Sequence, residues 1–316
     1  MPTLPNLPVE LLEVKLKLQS TTKTEKFSIS SPSVQTSEVV IKTKNLFFDN
    51  GAELVFNALG VEFLIIYADV VTFNGRASVT RRSLDDLTGA HGKDAPRTPP
   101  TPRGQGRNGN NGAPGGNGGQ AQAAPRMPVF FLFARQVRWI NRQATASDVR
   151  GNVQFSLDGL DGGIGGNGGR GGDGTNGNKG APSKSGLLWC DSGVGYGGRG
   201  GNAGAGGQGG FGSNGGDAST VYFFVEPQQH SVVGAFDVST KGGRPGRSGL
   251  AGPNGTPGQG GLPGDASGQC NEEPGRKGAN GGIVSGCRYP GIDLLYGANN
   301  PNSPAIFDYQ GWDELQ

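Results

Sequence analysis

Along residues 1–90 apolar and polar side chains alternate. The stretches LLEVKLKLQ, KFSIS, EVVIKTKNLFFDN, ELVFNALG and VEFLIIYADVVTFNGRASVT carry Val, Ile, Leu, Phe and Thr between polar positions. That spacing sets one face of a β-strand on a core. The same texture returns at PVFFLFARQVRWINR, NVQFSLDG and STVYFFVEPQQHSVVGAFDVST. Helical spacing is poor throughout, so the pattern predicts a mostly β chain with almost no α-helix. A weak repeat aligns FLIIYADVVTFN (63–74) with FFLFARQVRWIN (130–141), and VYFFVEPQQHSVVGAFDV (221–238) is a looser third copy. VVIKTKNLFFDNGAELVFNA reads as an earlier coil without an insertion. Strand–corner–strand units of about 20 residues predict a β-solenoid or layered β scaffold.

Between the strands lie glycine runs at 106–119, 159–180, 195–216, 242–264 and 275–282. Their phase is informative. Gly159, Gly162, Gly165, Gly168, Gly171, Gly174, Gly177 and Gly180 recur every third residue, as do Gly243, Gly246, Gly249, Gly252 and their successors to Gly264. The run at 195–216 keeps the period in two overlapping registers, with Ala203 and Ser213 each replacing one glycine. A flexible linker needs no phase. A period of three is the pitch of a polyproline-II helix. Collagen uses the same period, but these runs are short, poor in proline outside 242–264, and cut by strands. Many triplets are GGx, which leaves two faces bare and suits a helix touched by several neighbours. The runs therefore predict a bundle of parallel and antiparallel polyglycine-II (PPII-type) helices within one chain. Every backbone N–H and C=O in such a bundle needs a partner, which the neighbours supply. A run of the length of 159–180 would span roughly 70 Å at about 3.1 Å per residue.

GGIGGNGGRGGDGTNGNKG (162–180) and GYGGRGGNAGAGGQGGFGSNGGD (195–217) resemble known polyglycine-II bundle domains. Examples are the distal domain of T-even-type phage tail-fibre adhesins and the N-terminal domain of Obg-type GTPases. The resemblance covers about 106–282. No P-loop GxxxxGK[ST] is present, so it does not extend to a GTPase. Residues 37–80 resemble right-handed β-helix coils. The expected organisation is a β-rich scaffold at 1–90, a Pro-rich exposed loop at 91–105, glycine helices alternating with strands at 106–282, and an irregular aromatic tail at 283–316.

Composition fits this picture. Glycine makes up 61 of 316 residues and hydrophobic residues 33%, below the roughly 45–50% of ordinary globular chains. The net charge of +2 argues against a dedicated polyanion binder, so no nucleic-acid partner is expected. The start lacks the basic and apolar regions of a secretory signal, and no apolar window is long enough to span a membrane. The expected location is extracellular or particle-associated, on a virion or injection device, with a cytoplasmic one left open. Of Cys190, Cys270 and Cys287, the last two flank a short loop and form one conceivable bridge, with three free thiols the alternative. No CxxC pair exists and His91 and His230 are the only histidines, so no metal or other cofactor is expected.

Chemical motifs are weak. GGRGGDGTN fails the calcium nonapeptide pattern at Asn176, and Asp161, Asp173 and Asp217 read as solvated triplet positions. GGRGG around Arg170 and Arg199 mimics an RNA-binding box, but acidic residues interrupt it. Catalytic residues are not identified. The loops SGLLWCDSGVGY and CRYPGIDLLYG hold the candidate binding residues Leu188, Trp189, Tyr196, Tyr289 and Tyr296. Such residues either plug the bundle ends or stand exposed, since Trp and Tyr dominate binding hot spots. In the adhesin-like architecture distal loops of this kind meet the receptor. The reading is a non-enzymatic recognition or adhesion module whose partner is a cell-surface protein or a glycan. The alternatives are a subunit assembling with copies of itself into a filament or coat, and a polysaccharide-active β-helix enzyme.

Overall fold

The computed structural model describes residues 11–57, 61–81, 86–270, 276–282, 294–301 and 304–308. The chain opens with helix α1 (Leu11–Ser20). Strands then come in pairs: β1 (Thr24–Ile29) and β2 (Ser33–Thr36), β3 (Val40–Phe48) and β4 (Ala52–Phe56), β5 (Phe63–Phe73) and β6 (Ala77–Arg81). After a long excursion come β7 (Val129–Trp139), its short antiparallel neighbour β8 (Arg142–Gln143), helix α2 (Ala146–Val149) and β9 (Val153–Ser156). The second excursion carries a small hairpin, β10 (Lys184–Ser185) and β11 (Cys190–Ser192). β12 (Val221–Val225), α3 (His230–Val233) and β13 (Asp237–Ser239) follow, and β14 (Ala305–Asp308) comes after the third excursion.

The protein is mostly β, with few helices and two parallel sheets. The larger sheet runs β1-β3-β5-β7-β12-β14, with β8 beside β7, and the smaller runs β13-β9-β6-β4-β2. Each strand pair thus gives one strand to each sheet. The larger sheet is covered on both faces, as parallel sheets commonly are, and β5 shows how. Leu64, Ile66 and Ala68 point into the core between the sheets, where Phe130 meets Phe56 and Phe155. Phe63, Ile65 and Tyr67 point the other way, into a second cluster under α1. There Tyr67, Phe133, Phe224 and Phe307 stack as one rung across four strands, at centroid spacings of 6.4, 4.8 and 5.3 Å.

Two expectations are corrected here. LLEVKLKLQ alternates like a strand but forms α1. Val14 and Leu18, four apart, are buried in the cluster that holds this rung, while Leu12 and Leu16 remain exposed. The buried Lys42 ammonium donates to the Leu18 carbonyl at 2.7 Å and so closes the helix end. The repeat is also one residue out of step. Phe63 pairs with Val129 and Leu64 with Phe130, whereas the sequence match paired Phe63 with Phe130. A one-residue slip exchanges the two faces of a strand, and both faces of β5 and β7 are apolar, so pattern alone could not fix it.

The glycine runs occupy the three excursions. Each leaves the smaller sheet and returns to the larger one. The outward legs (87–102, 159–183 and 241–265) lie parallel to one another, as do the return legs (106–122, 195–219, then 276–282 and 294–300). The two sets run antiparallel. Their contacts are main-chain hydrogen bonds that recur every three residues. Gly162, Gly165 and Gly168 donate to the carbonyls of Arg244, Arg247 and Leu250, and Gly166, Gly169 and Gly172 to those of Gly119, Gly116 and Ala113. The same leg accepts from Gly204, Gly207 and Gly210 on its other side. The doubled GGx legs at 159–180 and 195–216 are those with neighbours on most sides. Where the doubled pattern breaks, the substitute fits: Ser213 Oγ accepts the Gly163 N–H at 2.8 Å.

The legs continue the register of the sheets. β9 pairs with β13 at an offset of 83 residues, and Asp173 bonds Thr256 at the same offset. β6 pairs with β9 at 76, as Asp94 does with Arg170. β7 pairs with β12 at 91, as Asn108 does with Arg199. The same offsets hold in the strands and in the legs that follow them, so the register passes from one to the other without slippage. The Pro-rich segment 91–105 belongs to this system and is not a free loop. Gly89, Gly92 and Ala95 donate to Ile164, Asn167 and Arg170, and the Thr98 and Thr101 hydroxyls donate to the Asp173 and Asn176 carbonyls.

Candidate functional site

Side chains at the x positions of the triplets have a role that the sequence reading missed. Asp161, Asn167, Asp173 and Asn176 each accept a backbone N–H of the neighbouring outward leg, from Arg244, Leu250, Thr256 and Gln259, at 2.7–2.8 Å. Asn108, Asn111 and Asn117 do the same for the second return leg, and Asp217 for Ala298. Asp161, Asp173 and Asp217 are therefore structural acceptors and not merely solvated. The hydrogen bonds of Thr256, backbone then hydroxyl, hold the Asp173 carboxyl below the usual carboxylate range, with Arg170 adding to the effect. The sequence did hold a signal, since acidic or amide residues recur in the glycine phase. Spacing gave no hint of their partners.

With the x positions so engaged, the bundle sides offer little chemistry. An open groove of about 1170 Å³ lies between 94–101 and 170–178. Its polar groups already bond one another, as with the Arg170–Asp173 pair at 2.7 Å. Among the described residues no three His, Cys, Asp or Glu side chains come together as a metal site would require.

The distal end differs. Here the second leg turns through β10 and β11. Lys184 faces Ser192 and Ser185 faces Cys190, and the Gly186 N–H donates to the Trp189 carbonyl at 2.8 Å. Leu187 and Leu188 occupy the apex. They are 93% and 75% exposed, and Trp189 is 66% exposed. Tyr196, at the root of the return leg, is also 66% exposed. These residues stand in solvent and do not plug the bundle.

A covalent tie braces the turn. Cys190 is bonded to Cys270, across 80 residues of sequence, with Cα atoms 5.0 Å apart. The conceivable Cys270–Cys287 bridge is thereby replaced, and Cys287 lies outside the described residues. Sequence distance favoured the shorter loop, whereas the common register of the second and third legs brings their ends side by side. The Ser267 N–H donates to Ser183 Oγ at 2.9 Å, and Lys179 pairs with Asp265 at 2.5 Å, across the same junction.

The candidate binding residues do not form one cluster. Leu188, Trp189 and Tyr196 are distal. Tyr296 is exposed but sits at the scaffold end, where Leu295 and Gly297 bond Gly215 and Gly243. Tyr196 and Gly215 lie near opposite ends of the same return leg. Tyr289 falls outside the described residues. The structural glycines Gly162, Gly165, Gly168, Gly171, Gly174, Gly177, Gly246, Gly249 and Gly252 all lie against backbone of neighbouring legs. No helix among the described residues is long and apolar enough to cross a membrane. Comparison with protein-family models, with curated proteins and with solved structures finds no match to this chain.

Proposed function

We propose that this protein is a non-enzymatic recognition or adhesion module. In this reading the paired sheets are a β-solenoid scaffold, the glycine legs are a polyglycine-II bundle, and the bundle carries a binding turn at its far end. The architecture is then of the kind found in the distal domain of tail-fibre adhesins. The observation that carries the reading is the exposure of Leu187, Leu188, Trp189 and Tyr196 on a braced turn. Ordinary folding keeps large apolar side chains from clustering in solvent, and such patches mark interaction sites. The bracing lowers the entropy lost on binding. The Cys190–Cys270 bridge supports a working location outside the reducing cytoplasm, on a particle or cell surface.

Cell-surface and glycan-array binding by the wild type and by Trp189→Ala/Tyr196→Ala tests this. Binding lost in the variant supports the reading, and unchanged binding removes this end from it. A second reading, a self-assembling subunit, draws on β2 and β13, which bound the smaller sheet and have no outer strand partner among the described residues. Concentration-dependent filaments in negative stain would favour it.

A further inference from the structure

The distal turn is an unusual recognition surface, because its most exposed residues are leucines. Leu is under-represented among protein–protein hot spots. It is among the side chains most readily accepted by a bilayer interior, and Trp is enriched at the headgroup boundary. Leu187 and Leu188 project from the apex of a four-residue turn, with Trp189 one step behind. Of the side chains from Gly186 to Trp189, only the indole N–H can hydrogen-bond, which leaves little to read a sugar hydroxyl.

The surroundings add charge. Arg103, Arg107, Lys184, Arg199, Arg276 and Lys277 are all exposed within the last turns of the bundle. The register places them together: Gly106 donates to Lys179, Gly198 to Asn178, and Gly197 to Arg276. Asp191 opposes them, Asp265 is already paired with Lys179, and Glu272 and Glu273 fall outside the described residues. Counting those two glutamates still leaves a basic excess of three at this end, out of a whole-chain net charge of +2. An apolar wedge ringed by cations is complementary to an anionic lipid surface.

We infer that the distal turn binds a lipid bilayer carrying anionic headgroups, with Leu187 and Leu188 entering the acyl region and Trp189 at the interface. The inference rests on the reading of this end as the recognition end, and it replaces a protein or glycan receptor with the lipid surface itself. The bridge to Cys270 matters because a pre-ordered wedge loses little entropy on insertion.

The test uses the intact, oxidised chain at low salt with sucrose-loaded vesicles of phosphatidylcholine containing about 30% phosphatidylserine. Co-sedimentation is expected, and weaker binding to phosphatidylcholine alone. Lipids brominated on the acyl chain should quench tryptophan emission, and Trp189→Phe should abolish that quenching. Leu187→Asp/Leu188→Asp should weaken vesicle binding by about tenfold or more, with circular dichroism unchanged because both side chains are solvent-exposed. Absence of co-sedimentation, or binding insensitive to the paired aspartates, overturns the inference. Cell binding that needs Leu187 and Leu188 alongside indifference to vesicles also overturns it, leaving the adhesion reading with a protein or glycan receptor. Cell binding indifferent to the paired aspartates would instead overturn the adhesion reading at this end.

Discussion

The Asp173 carboxylate accepts the backbone N–H of Thr256 at 2.7 Å, 83 residues further along the chain. The Thr256 hydroxyl reaches the same oxygen at 2.8 Å. One side chain thus ties the second outward leg to the third, and Asn167 and Asn176 repeat the device within the same leg.

This tie predicts acid sensitivity. The Asp173 carboxyl titrates below its ordinary range, held down first by the Thr256 backbone hydrogen bond. Asp148 is also depressed, mainly by the Arg142 guanidinium and then by Thr145. A depressed carboxylate stabilises the fold at pH above the unfolded value, about 4, and loses that contribution as pH falls through the folded value. Stability should therefore hold from neutral pH down to about 5 and decline below about 4. Asp173→Asn keeps an oxygen acceptor that does not titrate. As pH is lowered below about 4, the Thr256 amide should lose protection in the wild type and keep it in that variant, and the same pH profile in both down to full protonation would show the tie to be irrelevant.

Glycines here serve two different ends, and substitution separates them. A methyl at Gly207 would overlap the Gly116 carbonyl oxygen. Gly207→Ala should cost about 3 kcal/mol or more, because backbone on both sides must move. Gly151 has φ of +71° with open space around it. Gly151→Asn should be near neutral, since Asn tolerates that region, and Gly151→Ala should cost about 1 kcal/mol. Urea midpoints of the three variants check the order.

Much of this fold was legible and some was not. The period-three phase pointed to close packing at the glycines, because only a close neighbour makes a missing Cβ useful, and Gly207 against Gly116 is such a contact. Apolar-rich strand texture located β3 to β7: β6 alternates because one face is buried, and β5 and β7 read as near-continuous apolar runs because both faces are. It failed at α1, where Leu12, Val14, Leu16 and Leu18 alternate perfectly and only tertiary contact chooses the helix. The acceptor roles of Asp161 and Asp173, and the partner of Cys190, depend on which residues lie about 80 positions away. No local pattern encodes that distance. Of the candidate site, the exposed Trp189 turn was named from sequence, but Tyr296 was not separable from it because the separation is set by leg length.

The bridge between Cys190 and Cys270 closes a loop across 80 residues, worth about 4.5 kcal/mol by chain entropy. Non-reducing peptide mapping should recover a peptide joining these two cysteines, with Cys287 open to alkylation. Cys190→Ser should speed amide exchange at 184–192 while leaving β5 and β7 protected. A mapped Cys270–Cys287 peptide would contradict the arrangement of the distal end.

The glycine runs are folded, hydrogen-bonded elements that hold the distal turn in place. Amide hydrogen exchange across 159–216 in the oxidised protein at neutral pH tests this most directly. Protection lasting hours is expected at Gly162, Gly165, Gly166, Gly168, Gly169, Gly204, Gly207 and Gly210, whose N–H groups all donate to other legs, with faster exchange at Leu187 and Leu188 on the turn. Exchange within seconds along the whole of 159–216 would contradict it.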